Sequence, residues 1–368
     1  MTDSAANCKA SWTIISSTYP HVTCGPCSAH CLDLLLEDFG KEDWIKKHFA
    51  EGKEIVKFVT SHHQSLALFR EKSSLELLKP GETRFATNFI MLKRLNECKD
   101  ALQETVVNPK YKTWMAKKSY RDTGSLISAR ILDENWWKVA ETCLECCEPV
   151  VELLRLVDGE QPAVGKVYFK MFKVWEMVNS LESIDADQKV GIKRYFDQRW
   201  AMLHTDLHGA GFVLDPEYND GRYSQASNEE AMTGFLNMCE KLLDPEDQVK
   251  AGNELAAFRA GEGIFGRPMV RESAKQLPGY KWWLQYGIGV PALQKVAVKV
   301  LAQITSSSAS ERNWSTFEWI HSKKRNRLAV ATAEKLVFIH CNLRLLNKIR
   351  DVEYKEETIQ WDFDSDSE

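Results

Sequence analysis

Ser306-Ser307-Ser308-Ala309-Ser310-Glu311-Arg312-Asn313-Trp314-Ser315-Thr316-Phe317, followed by His321-Ser322-Lys323-Lys324-Arg325-Asn326-Arg327-Leu328, is the stretch on which the fold turns. A run of serines suits a turn that ends in a helix start, because a Ser hydroxyl accepts from the free N–H groups of the first turn. Ser308 or Ser310 is the cap this predicts. Glu311 then falls in the first turn, where the helix dipole favours an anion, so by itself it reads as a helix-start carboxylate. Lys323, Lys324, Arg325 and Arg327 form a short basic run that either grips phosphates or makes a solvated face.

On either side the pattern is helical. Upstream, Pro291 stands where a helix can begin, and Leu293, Val296, Ala297, Val300 and Leu301 make one stripe behind the pair Trp282-Trp283. Downstream, Leu336, Val337, Ile339, Leu343 and Leu346 predict a helix over 332–346. The acidic end, Asp362 to Glu368, reads as an unstructured tail.

Further out, apolar residues at helical spacing predict helices over most of 87–290, including 167–181 and 192–203. The Gly-, Asp-, Asn- and Ser-rich stretch 211–228 reads as a loop or short link. Near the N-terminus, Leu32, Leu35, Leu36 and Phe39 predict a helix over 28–39 stopped by Gly40. A second helical pattern runs over 43–69.

Composition narrows the function classes. The chain has 368 residues, a net charge of −4 and a sequence pI of about 6.2. That argues against a polycation coating nucleic acid, but not against a local basic patch. The start of the chain has neither the basic nor the apolar region of a signal peptide, and no stretch reaches the length of a membrane span, so no membrane partner is expected. Ten cysteines in such a chain read as free thiols.

Two smaller features carry candidate chemistry. Asp3, followed by small polar residues, suits a strand end passing into a helix. Cys24-Gly25-Pro26-Cys27, with His30, allows three readings: half a zinc site lacking its second ligand pair, a thioredoxin-like redox pair without the preceding strand, or a structural lock in which Cys27 and His30 fasten a helix start.

Taken in order, these motifs resemble hAT-superfamily DNA transposases. Trp282-Trp283, Pro291-Ala-Leu293, Leu301, Ser307-Ser-Ala-Ser-Glu311-Arg312, Lys324-Arg325-Asn326-Arg327-Leu328 and Leu336 to Leu343 resemble the hAT C-terminal dimerisation region. Thr2-Asp3-Ser-Ala-Ala-Asn7, Cys27-Ser-Ala-His30 and Thr83-Arg84-Phe85 resemble the other end of the same catalytic domain, in the plant-like branch with its domain of unknown function. Leu207 to Pro216 is a landmark of the family's helical insertion.

The resemblance implies a mainly α chain, with a partial ribonuclease-H-like α/β remnant formed by the two chain ends around an all-helical insertion. Its implied divisions are 1–98, part of the ribonuclease-H-like core; 99–278, the insertion; 279–348, the dimerisation region; and 349–368, the acidic tail. It places Asp3 at the second and Glu311 at the third acidic position of a site that takes Mg²⁺ or Mn²⁺ to cut and join DNA. Cys27, His30 and Arg84 match motif positions, although Phe85 stands where the family has Trp.

The family's first acidic residue has no counterpart ahead of Asp3. The expectation is therefore an N-terminally truncated, transposase-derived protein with no cofactor bound as it stands. It self-associates as a homodimer or larger homo-oligomer through Trp282, Trp283, Leu293, Leu301, Leu336 and Leu343, and lacks independent transposase activity. The resemblance implies a nuclear location. The alternative is a DNA-binding fragment, holding DNA through Lys323, Lys324, Arg325 and Arg327, that cuts only when the missing part is supplied.

Overall fold

The structure, a computed structural model, describes residues 1–81, 85–117, 120–159, 161–219, 229–320 and 328–350; the side chains of 309, 311–315, 344–345 and 347–350 also lie outside the described set. The described residues are mainly helical. In chain order the helices are α1 (Ala6–Thr18), α2 (Ser28–Phe39), α3 (Asp43–Ser61), α4 (His63–Arg70), α5 (Ala86–Glu97), α6 (Lys99–Val107), α7 (Pro109–Met115), α8 (Arg121–Ile131), α9 (Glu134–Asp158), α10 (Val164–Ser180), α11 (Ala186–Leu203), α12 (Asp206–Leu214), α13 (Glu229–Leu242), α14 (Pro245–Ala260), α15 (Pro268–Ser273), α16 (Gly279–Tyr286), α17 (Pro291–Leu301), α18 (Ser308–Ile320) and α19 (Val330–Arg350). Among the described residues, β pairing is confined to one isolated parallel bridge between Thr2 and Pro26. The Thr2 N–H donates to Gly25 O at 3.2 Å, and the Cys27 N–H donates to Thr2 O at 2.7 Å.

Packing divides the chain into two units: one is Met1–His30, Arg155–Tyr168 and Leu203 onward, and the other is Cys31–Leu154 with Phe169–Met202. In the second unit, α3 buries Ile45, Phe49, Ile55, Val56 and Val59, a helical stripe. It packs against α5, which supplies Phe89, Met91, Leu92 and Leu95. The pattern over 43–69 breaks at His62, whose backbone is extended (φ −116°, ψ 106°). Its Nδ1 lies 2.7 Å from Phe58 O, so the imidazole reaches back to a carbonyl at the end of α3.

Helix α9 adds buried Trp137, whose indole N–H donates to Ile131 O at 2.8 Å. It also adds the buried thiols Cys143, Cys146 and Cys147. Burial pushes Cys146 up to about 12 and raises the other two as well, so all three stay protonated and act as small apolar fillers. Asp38 is the charged member of this interior. Burial alone raises its carboxyl, but hydrogen bonds from Arg199 at 2.5 Å and Lys41 at 2.7 Å outweigh that and hold it below the usual range.

The first unit is built on close helix contacts. A Cβ on Gly209 would stand 3.0 Å from Ala231 Cα, and one on Gly234 2.8 Å from Asp206 O, so α12 and α13 meet backbone to backbone. This corrects the expectation that 211–228 is a loop from its first residue. Gly211 lies inside α12 because a bare backbone is needed there, its absent Cβ 3.1 Å from the Val164 carbonyl; residues 220–228 of that stretch lie outside the described residues.

Just past α12, buried Asp215 receives Lys166 at 3.2 Å, and Glu217 takes the same ammonium. Burial opposes the Lys166 charge, yet the two carboxylates hold its pKa above the usual value. Trp283 donates to Leu214 O at 2.8 Å and Trp282 to Val270 O at 2.9 Å, so both buried indoles are satisfied. Helix α17 starts at Pro291, and the N–H of its third residue, Leu293, donates at 2.7 Å to Glu254 from α14 in place of a local cap. Helix α14 ends on Gly261 in the left-handed region (φ 67°), a conformation open to glycine at little cost.

Candidate functional site

The N-terminal corner is assembled first. Behind the Thr2–Pro26 bridge, the Trp12 indole N–H donates to Thr2 Oγ1 at 2.8 Å. Asp3 Oδ1 accepts from the Ala5 N–H at 3.0 Å, an Asx turn just ahead of α1. That backbone hydrogen bond, with a second from the Cys8 thiol, holds the exposed Asp3 carboxyl below its usual range, and the His30 charge adds to it. The thiol responds in the opposite sense: the hydrogen bond to Asp3 pushes Cys8 up.

Residues far apart in sequence then meet. Ser28 N–H donates to Thr305 O at 2.8 Å, and Ser307 N–H donates to Cys27 Sγ at 3.3 Å. Ser306 Oγ lies 3.6 Å from the same sulfur and donates to Ser308 Oγ at 2.7 Å. The serine run ahead of α18 therefore clasps the turn ahead of α2, all within one unit and all buried. Beneath the clasp is His208, wholly enclosed, with Nδ1 2.9 Å from Thr205 Oγ1 and Nε2 3.4 Å from Ser28 Oγ. Burial, helped by the neighbouring His204, lowers its pKa to about 3, so the imidazole is neutral.

This clasp launches α18, which folds against α19. Ile320 of α18 and Ala333 of α19 are buried, and the Trp319 and His340 rings lie 6.3 Å apart. Ala333, Val337 and Cys341, spaced by four, are the less exposed positions among the described side chains of α19. A different stripe of the helix is left open: Leu336, Ile339, Leu343 and Leu346 are 41–55% exposed, and Phe338 beside them is 69% exposed. Glu334, Lys335, Phe338 and Ile339 line an open groove of about 460 Å³ on this surface.

The residues singled out by sequence fall into three groups. Trp282, Trp283, Leu293 and Leu301 are core residues of the chain's own fold, each no more than 4% exposed, whereas Leu336 and Leu343 are on the surface. Cys27 is buried in the clasp and His30 is exposed on the first turn of α2. Asp3 is exposed; Glu311 lies in α18, with its side chain outside the described set. Arg84 and the run Lys323, Lys324, Arg325 and Arg327 lie outside the described residues.

Among the described residues, no three His, Cys, Asp or Glu side chains group closely enough to hold a metal ion. Asp3 is the described carboxylate that the expected Mg²⁺ or Mn²⁺ site would use. Its Oδ1 accepts from the Ala5 N–H, the Glu311 side chain lies outside the described set, and no metal-borne step is assigned. No described helix is long and apolar enough to cross a membrane.

Sequence reasoning missed the clasp partners Thr305, Ser306 and Ser307, and the buried His208. The serine run was a visible signal, read as a cap rather than as a seat for Cys27. Nothing local marks His208, because its burial depends on Ser28, 180 residues away.

A family model described as the hAT family C-terminal dimerisation region matches residues 265–343. A second, described as a domain of unknown function (DUF659), matches residues 1–55. No curated protein matches the chain.

Proposed function

Starting from an hAT transposase-like chain, matched to the family's domains at both ends, we propose that this protein is transposase-derived and works by self-association through its C-terminal helices. The observation that carries this is the open apolar stripe of α19. Four large aliphatic side chains and a phenylalanine stand in solvent on one helix, most of it inside the matched dimerisation region. Contiguous apolar surface of this kind marks an interaction site, and the region's description supplies the partner: another copy of the chain.

Light scattering or sedimentation over a dilution series tests it. The apparent mass should climb from 42.1 kDa toward twice that value with concentration. Leu343→Asp should weaken the association at least tenfold, because a charge in an apolar contact is desolvated without a partner. A parent chain that stays monomeric at every concentration overturns the proposal.

On this reading the chain contributes assembly and not independent strand cleavage. Supporting that part, Asp3 serves as a turn residue: its carboxylate is spent on Ala5 N–H and the Cys8 thiol. Supercoiled DNA incubated with the purified protein and Mn²⁺ should stay intact; nicking that disappears in Glu311→Ala would show otherwise.

A further inference from the structure

Leu336, Ile339, Leu343 and Leu346 follow one another at intervals of three, four and three. That is the spacing of two heptads of a coiled-coil seam, which keeps one narrow face of a helix toward a partner helix. The inward residues Ala333, Val337 and Cys341 lie on a different face, so among the described residues the seam is open while α18 stays packed. We propose that α19 pairs with α19 of a second copy as an antiparallel two-helix seam, Leu336 facing Leu346 of the other copy and Ile339 facing Leu343. This rests on the self-association just described and specifies its contact and direction.

Two observations set the direction. The second turn of α19 holds the opposite charges Glu334 and Lys335, while its last two turns read Arg344, Lys348 and Arg350 with no acid among them. A parallel pair would bring the two basic C-terminal ends together, and like charges across an interface oppose pairing. Helix dipoles add in the same sense: parallel neighbours align them, and antiparallel neighbours set each end against its opposite. The antiparallel seam is two-fold symmetric about residue 341, so one surface patch serves both copies.

The area sets the strength. The four seam side chains, each about half exposed, offer about 400 Å² per copy, against about 800 Å² per partner in a stable interface of standard size. The seam therefore makes a reversible dimer, one that dissociates within an ordinary dilution series.

Cysteine pairing distinguishes the arrangements, in a full chain carrying Cys8→Ser, Cys24→Ser and Cys341→Ser to remove the partly exposed thiols. One preparation carries Leu336→Cys and another Leu346→Cys; both positions are on the surface, and circular dichroism melts confirm that the fold is kept. At concentrations where the parent associates, mild oxidation of either preparation alone should give monomer, and an equimolar mixture should give a covalent dimer. A disulfide requires Cα atoms within about 7 Å, which the antiparallel seam gives only to the mixed pair. Self-linking of each preparation means a parallel seam and overturns the proposal. No cross-link at all, with dimers still seen by light scattering, means that the copies meet elsewhere, which overturns the seam but leaves self-association standing. A parent that never associates removes both.

Discussion

His208 shows how one residue can tie stability to pH. Its pKa of about 3 in the folded chain compares with about 6.5 in an unfolded one. Between those values the unfolded state takes up a proton that the folded state refuses. Stability is therefore full above about pH 6.5 and falls as the solution is acidified, by up to about 1.4 kcal/mol per pH unit. Asp215 acts with the opposite sign, since burial raises its carboxyl and the folded chain holds that proton to higher pH. Comparing variants at the same two pH values removes its contribution. Urea unfolding at pH 7 and pH 5 should show the parent losing about 2 kcal/mol more than His208→Gln over that interval. Equal losses would mean that the imidazole is not enclosed as described.

At the scale of the element, glycines separate packing from propensity. Gly234 in α13 and Gly252 in α14 are both mid-helix. A Cβ on Gly234 meets the Asp206 carbonyl, while around Gly252 there is open space. Gly252→Ala should stabilise the protein by about 0.5–1 kcal/mol through helix propensity and a stiffer unfolded chain. Gly234→Ala should destabilise it by about 1–3 kcal/mol, because backbone cannot move aside as a flexible side chain can. Thermal melts of the two variants should shift in opposite directions. The same contrast explains what could be read from sequence. Leu32, Leu35, Leu36 and Phe39 announce α2 and its stop at Gly40, because apolar period and breaker agree. Gly209 and Gly211 look like breakers too, yet they sit in α12, because what decides their role is a neighbouring backbone that no local window contains. His62 splits an apolar pattern for a similar reason: its ring finds Phe58 O, and the stripe on either side gives no warning.

At the scale of the whole molecule, the C-terminal region was legible as a motif and only in part as a surface. The motif places Trp282 and Trp283 in the self-association contact, and burial makes them core instead. Leu336 and Leu343 read the same way and stay outside, because α18 covers a different face of α19. An apolar window identifies the helix, but the covering element decides which side faces out. Self-association by such a face should resist salt. Between about 0.1 and 1 M NaCl the dissociation constant should change less than about threefold, since screening acts on charges and high salt does not weaken apolar contact. A tenfold loss measured by sedimentation would point to ion pairs instead. The open stripe of α19 also has a dosage consequence. A lone copy shows its grease to chaperones and proteases, and meeting a sister copy hides it. Survival of each chain in a cell would then rise with the number of its fellows, so that scarce product is cleared quickly and abundant product persists.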